Sequence, residues 1–172
     1  MHFASSYQYE QVNQYQTLTQ SELITRCLKN DRKAQRALYE SLGPFMKTVC
    51  LRYLIDKEMV EDALNKGFLK VFTKLALYQG SGSFEGWVRR IIVNECLDAN
   101  RAHKPVYALE EFNLSDTSFA INETESIHET SYILKLIDAL PLGYKTVFNM
   151  VEIDGYTHKE VAEKLNITES AS

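Results

Sequence analysis

Arg90, Asn94, Asp98 and Arg101 follow one another at steps of four, four and three residues, which sets all four on one stripe of a helix. Arg89 and Lys104 lie close by in the chain. Guanidinium groups so spaced suit phosphate oxygens, and an asparagine amide carries the donor and acceptor that a base edge requires. Exposed aromatic rings near such a stripe could stack on unpaired bases. The same spacing also describes a solvated helix face on which Asp98 and Arg101 form an ordinary ion pair.

A second pattern runs from Thr157 to Thr168. Thr157 and Glu160 fit a capping box, Val161, Ala162 and Leu165 follow at helical spacing, and Asn166-Ile167 makes a turn before Thr168, which suits the cap of another helix. A short capped helix, a turn and a second capped start are the parts of a helix-turn-helix, whose second helix enters the major groove. Ala162 is small enough to let two helices approach. A plain helical hairpin would satisfy the same pattern.

A third group is Glu58, Glu61 and Asp62, near one helix start. Three carboxylates could bind a hard cation, but carboxylates also gather at helix N-termini because the macrodipole favours them there. No second group of this kind occurs, and His2, His103, His128 and His158 show no ligand spacing. There is no phosphate-cradling glycine loop, nucleophile elbow or triad signature. The expectation is no catalytic residue, no metal and no cofactor.

The elements that must hold these residues read as helices throughout, with no strand alternation and no internal repeat. Residues 1–17, rich in Gln, Tyr and Ser, form a flexible or partner-ordered arm. Thr19 and Glu22 open a helix bearing Leu23, Ile24, Cys27 and Leu28. Asp31 caps the next, with Ala34, Ala37, Leu38 and Leu42 on one side, and Gly43-Pro44 breaks it. A third helix spans Phe45 to Leu54, with Phe45, Val49, Cys50, Tyr53 and Leu54 inward. Asp56 caps the clearest amphipathic stretch, on which Val60, Ala63, Leu64, Gly67, Phe68, Val71, Phe72 and Leu75 recur at three- and four-residue steps. A glycine-containing loop, 78–83, leads to a helix from Phe84 to Arg101 with Phe84, Trp87, Val88 and Ile91 on its core side. Residues 105–126 form an acidic linker. Beyond it Ile133, Leu136, Ile137 and Leu140 form one stripe. Pro141 opens a helix bearing Val147, Phe148 and Val151, and Gly155 lies just past its end.

The 172-residue length allows one domain or two small ones. No run of eighteen apolar residues occurs and the N-terminus lacks a secretory pattern, so a cytoplasmic protein is expected. Cys27, Cys50 and Cys96 are far apart in sequence and read as reduced thiols packed as small hydrophobes. The net charge of −4 argues at first against nucleic acid. Its distribution changes that: Ser21–Lys104 holds fifteen Lys/Arg against ten Asp/Glu, and Pro105–Ser172 holds four against twelve. A basic first half and an acidic second half can meet different partners, although charge also drifts along chains without consequence.

Three segments taken together carry a resemblance. Residues 61–72, EDALNKGFLKVF, and 82–94, GSFEGWVRRIIVN, closely resemble region two of extracytoplasmic-function sigma factors of bacterial RNA polymerase. Residues 140–148, LPLGYKTVF, and 155–165, GYTHKEVAEKL, resemble region four. The resemblance implies an all-α protein of two small helical domains: a region-two bundle at 18–104 and a region-four helix-turn-helix at 127–172, joined by the acidic linker. It implies a transcription initiation factor that is not an enzyme and takes no small-molecule substrate. Its partners would be the RNA polymerase core, promoter DNA and an anti-sigma factor. Glu61, Asp62, Asn65 and Phe68 would dock on the polymerase. Phe84, Trp87, Arg89, Arg90, Asn94 and Arg101 would open and read the minus-ten element, although the spacing of Trp87 also fits the buried stripe. Thr157, Lys159, Thr168 and Ser170 would serve the minus-thirty-five element. Two departures stand out. Asn65-Lys66 replaces the family's frequent Gln-Glu, shortening one side chain and reversing a charge. The chain also ends at Ser172, within the expected recognition helix, so region four is expected to be cut short. Two rival readings are a sigma-like decoy that binds polymerase or an anti-sigma protein without opening promoters, and a metal-dependent hydrolase using Glu58, Glu61 and Asp62.

Overall fold

The computed structural model describes residues 15, 18–103, 135–137 and 139–172, and every regular element among them is helical. The chain divides into two compact units, Met1–Asn100 and Arg101–Ser172. Apart from Tyr15, the expected arm lies outside the described residues, as does the expected linker. The Tyr15 hydroxyl donates to Asp31 Oδ2 at 3.0 Å and its ring lies under the Arg26 guanidinium.

In the first unit, α1 (Gln20–Leu28) starts at the expected capping box: Thr19 Oγ1 accepts from the Glu22 amide at 3.4 Å and Glu22 Oε2 accepts from the Thr19 amide at 2.8 Å. α2 (Arg32–Tyr53) starts at Asp31, whose carboxylate accepts from the amides of Lys33 and Ala34. Those bonds, and the Tyr15 hydroxyl, hold the Asp31 carboxyl below its ordinary value although burial opposes the shift.

α2 corrects the expectation of a break at Gly43-Pro44, because one helix of 22 residues runs through Pro44. Proline costs the interior bond to the Glu40 carbonyl and normally drives the preceding residue out of the helical region by clashing with its Cβ. That preceding residue is Gly43, which has no Cβ. Leu38 on one side of the proline and Met46, Val49 and Cys50 on the other are all buried, so packing holds both halves in line. Pro44→Ala restores the missing donor and should stabilise the unit by about 1 kcal/mol. A urea titration checks this, and a lower midpoint would show that the proline is needed.

The second correction is Phe45, which is 40% exposed instead of inward and lies under the Arg89 guanidinium at 5.3 Å. A continuous helix fixes the phase from Leu38 onward and turns position 45 off the core side.

α3 (Lys57–Lys74) is capped by Asp56, buries Val60, Ala63, Leu64, Gly67, Phe68 and Val71, and tightens into a 3-10 turn at Leu75–Leu77. α4 (Phe84–His103) begins where Ser83 Oγ accepts from the Gly86 amide at 3.0 Å. It buries Phe84, Val88, Ile92, Val93, Cys96 and Leu97. At Gly67 a Cβ would lie 2.3 Å from Ile92 Cδ1, so the glycine is what lets α3 and α4 close. The Asn100 amide donates to the Tyr53 carbonyl at 3.0 Å, satisfying an acceptor at the end of α2. All three thiols are buried. Burial pushes Cys27 up to about 11, while a hydrogen bond with Cys96 draws Cys50 down.

In the second unit Pro141 immediately precedes α5 (Leu142–Phe148), which continues as a wider π turn over Asn149–Ile153. Thr146, Asn149 and Met150 are buried, whereas the expected Val147, Phe148 and Val151 are half-buried. The π turn departs from the 3.6-residue period on which the expectation rested. Gly155 takes φ +72°, the left-handed value that favours glycine after a helix. α6 (His158–Leu165) opens with the second capping box and ends at Asn166, also left-handed. A 3-10 turn follows at Glu169–Ala171.

Candidate nucleic-acid interface

The stripe on α4 forms as the spacing predicts: Arg90, Asp98 and Arg101 are exposed and Asn94 is half-buried beside them. Arg89 is turned another way. Its guanidinium lies over Phe45 and pairs with Glu85 at 3.4 Å, so within this unit it ties α4 to α2.

Beneath the stripe, Glu95 is 7% exposed and its carboxylate accepts from Lys70 Nζ of α3. That hydrogen bond raises the Lys70 amine above its ordinary value, and the charges of Glu95 and Asp98 add to the effect against desolvation. This pair has no local sequence signal, since its members are 25 residues apart on different helices.

The loop before α4 is held by aromatic rings. Tyr78 meets Phe84 edge-on with ring centres 5.1 Å apart, Tyr78 and Trp87 are 5.5 Å apart, and Phe84 and Trp87 stack at 5.8 Å. Phe84 is placed in the core at 2% exposed, not on the surface. Trp87 is half-buried, so it has both a packed and an accessible part. Gly80 and Gly82 take φ +75° and +83°, which only glycine adopts without strain.

The outer face of α3 presents the other expected residues. Glu61 pairs with Lys47 of α2, Asp62 faces Lys66 at 3.8 Å, and Asn65 Oδ1 stands 3.5 Å from the Tyr39 hydroxyl. All three are exposed. Phe68 is instead 2% exposed, packed between Tyr39 and Phe72. Sequence periodicity had also set Phe68 on the buried stripe, and its seat in the core follows that signal. Among the described residues no three His, Cys, Asp or Glu side chains gather to hold a metal ion.

In the second unit the Thr157 hydroxyl is committed to its cap, accepting from the Glu160 amide at 3.2 Å. Lys159 is exposed, and the hydroxyls of Thr168 and Ser170 lie 3.1 Å apart, both at the surface. No helix among the described residues is long and apolar enough to cross a membrane.

Residues 38–105 match the family described as Sigma-70 region 2, and residues 130–172 match Sigma-70, region 4. The chain is 25% identical over 158 residues to the ECF RNA polymerase sigma-E factor of Haemophilus influenzae, covering 85% of this chain and 83% of that one. It is 24% identical to the ECF RNA polymerase sigma factor SigW of Bacillus subtilis, covering 84% and 83%. It is 26% identical to RNA polymerase sigma factor SigZ of the same organism, covering 78% and 76%. A solved structure of CnrH in complex with the cytosolic domain of CnrY matches with a TM-score of 0.48 at 17% identity, covering 87% of this chain and 84% of that one. The chain belongs to the sigma-70 family, and several of the relatives it resembles are extracytoplasmic-function sigma factors. These are transcription initiation factors, and the family's role is regulatory, not enzymatic.

Proposed function

We propose that the first unit grips the RNA polymerase core with the outer face of α3 and opens the minus-ten element with the outer stripe of α4. The observation that carries this reading is the pairing of two different surface rows across one tight seam. Glu61, Asp62 and Asn65 stand on α3, and Arg90, Asn94 and Arg101 on α4, with Gly67 and Ile92 closing the helices between them. The α3 row offers carboxylates and an amide to a protein surface. The α4 row offers cations for phosphate and an amide for a base. Unstacking a base costs a few kcal/mol, and capture of the freed base by stacking and hydrogen bonding offsets that cost.

Phe68 and Phe84 act in this reading as supports beneath those rows, and Arg89 as a brace. In the second unit, Lys159 and the hydroxyls of Thr168 and Ser170 face the minus-thirty-five duplex. An anti-sigma protein, as partner, would compete for the same α3 surface.

The test separates the two rows. Asn94→Ala should lower promoter opening by about tenfold or more, the worth of one well-placed base contact, with core binding unchanged. Asp62→Ala should weaken core binding and leave opening intact once polymerase is saturated. Permanganate footprinting and fluorescence titration with core polymerase measure the two quantities. Equal loss of both in both variants would overturn the division, and core binding with no specific start site would favour the decoy.

A further inference from the structure

Two of the three thiols meet inside the first unit. Phe45 of α2 lies under the Arg89 guanidinium of α4 at 5.3 Å, and further along both helices the Tyr53 carbonyl accepts from the Asn100 amide at 3.0 Å. Between those two contacts α2 and α4 therefore run alongside one another in the same direction. Cys50 and Cys96 both fall in that stretch, Cys50 about one helical turn before Tyr53 and Cys96 about one turn before Asn100. Both are fully buried, and a hydrogen bond joins them. That bond draws the Cys50 thiol below its ordinary value, against burial and the charge of Glu61, because the Cys96 S–H donates to a Cys50 thiolate. Cys27, on α1, has the opposite setting: burial pushes it up to about 11, and the Asp31 charge adds to the effect.

We propose that Cys50 and Cys96 are an oxidisable dithiol, which a hydroperoxide converts into a disulfide stapling α2 to α4 through the core. With hydrogen peroxide, the Cys50 thiolate attacks one oxygen and the O–O bond breaks. A sulfenic acid forms, and the departing hydroxide takes up the proton that Cys50 released. The Cys96 sulfur then attacks the sulfenic sulfur, and its own proton leaves with the displaced hydroxyl as water. Two thiols and one peroxide thus give one disulfide and two waters. Burial sets the rate and not the product. Peroxide reaches the pair only when the seam opens, and the adjacent thiol then captures the sulfenic acid ahead of further oxidation. Cys96 follows Asn94 by two residues, so the staple fastens the helix that carries the candidate stripe.

The test uses the intact chain, reduced and then freed of reductant. It is treated with increasing hydrogen peroxide, unfolded in acid, blocked with a maleimide and mapped by mass spectrometry. One intramolecular bridge from Cys50 to Cys96 should form, with Cys27 recovered as the thiol, and dithiothreitol should reverse it. The bridge closes a loop of about 45 residues, so the urea midpoint should rise by about 1–2 M. Cys27→Ala should form the same bridge, and in Cys96→Ala the Cys50 sulfur should advance to the sulfinic acid. Thiols that stay intact, a bridge that includes Cys27, disulfide-linked dimers, or Cys50 and Cys96 both reaching the sulfinic acid unbridged would each overturn the proposal. A bridged chain whose midpoint does not rise would overturn the staple.

Discussion

Lys70→Met should destabilise the first unit by about 2–4 kcal/mol, the range expected when a largely buried carboxylate loses its cation. Methionine keeps the apolar stem against α3 and α4, so the loss isolates the charge. The two partners are unequal. Glu95 is 7% exposed and cannot reach water without moving α4, whereas the Lys70 side chain is 45% exposed and can swing outward. Glu95→Gln should therefore cost about 1 kcal/mol, less than the lysine variant, because the orphaned amine is solvated. Lys70→Met with Glu95→Met should recover most of the loss, since replacing both charges by apolar groups is often neutral. Equal urea midpoints for wild type and Lys70→Met would show that the pair contributes nothing.

The pair also sets a pH dependence. The Lys70 amine is raised in the folded unit, first by its hydrogen bond to Glu95. A raised amine contributes stability that is complete below the unfolded lysine value of about 10.4 and disappears as pH climbs through the higher folded one. The wild type should weaken in that alkaline window, and Lys70→Met should lack this component.

Gly67→Val should cost about 3 kcal/mol, at the upper end of overpacking. A Cβ here already lies 2.3 Å from Ile92 Cδ1, and Ile92 is fully buried, so two further methyl groups in a nearly fixed rotamer have nowhere to go. Gly67→Ala should cost much less. The offending atom is a terminal methyl that can rotate, and alanine gains up to about 1 kcal/mol of helix propensity over glycine. The decisive measurement is a double-mutant cycle with Ile92→Val, which deletes the δ methyl. Alone it should destabilise by about 0.5–1.5 kcal/mol, and in the Gly67→Ala background by less or not at all. Strict additivity would place the close approach elsewhere.

The helix starts were legible because caps are local chemistry. Thr19 with Glu22, Asp31, Asp56, and Thr157 with Glu160 each announce an N-terminus through side chains within three residues, and each caps as read. The α4 stripe was legible for the same reason, since four residues on one helix need only a period. Pro44 misled because its effect depends on Gly43 and on packing from both sides, which no dipeptide rule includes. Phe45 was misplaced by treating residue type as address: an aromatic ring was assigned to the core, and the fold sets it at the surface under the Arg89 guanidinium. The π turn at Asn149–Ile153 escaped because it breaks the periodicity used to find it. The Lys70–Glu95 pair depends on which helices meet, and that is tertiary information.

The three thiols give this unit a chemistry of its own breathing. Cys27 sits on α1, Cys50 on α2 and Cys96 on α4, each at most 3% exposed. An alkylating reagent reaches none of them without an opening, and the thiolate it needs is scarcer still at Cys27. Modification at Cys27 therefore records the peeling of α1, while modification at Cys50 and Cys96 records the parting of the central pair. The native chain carries, without an engineered probe, a separate clock for each of its two ways of coming apart.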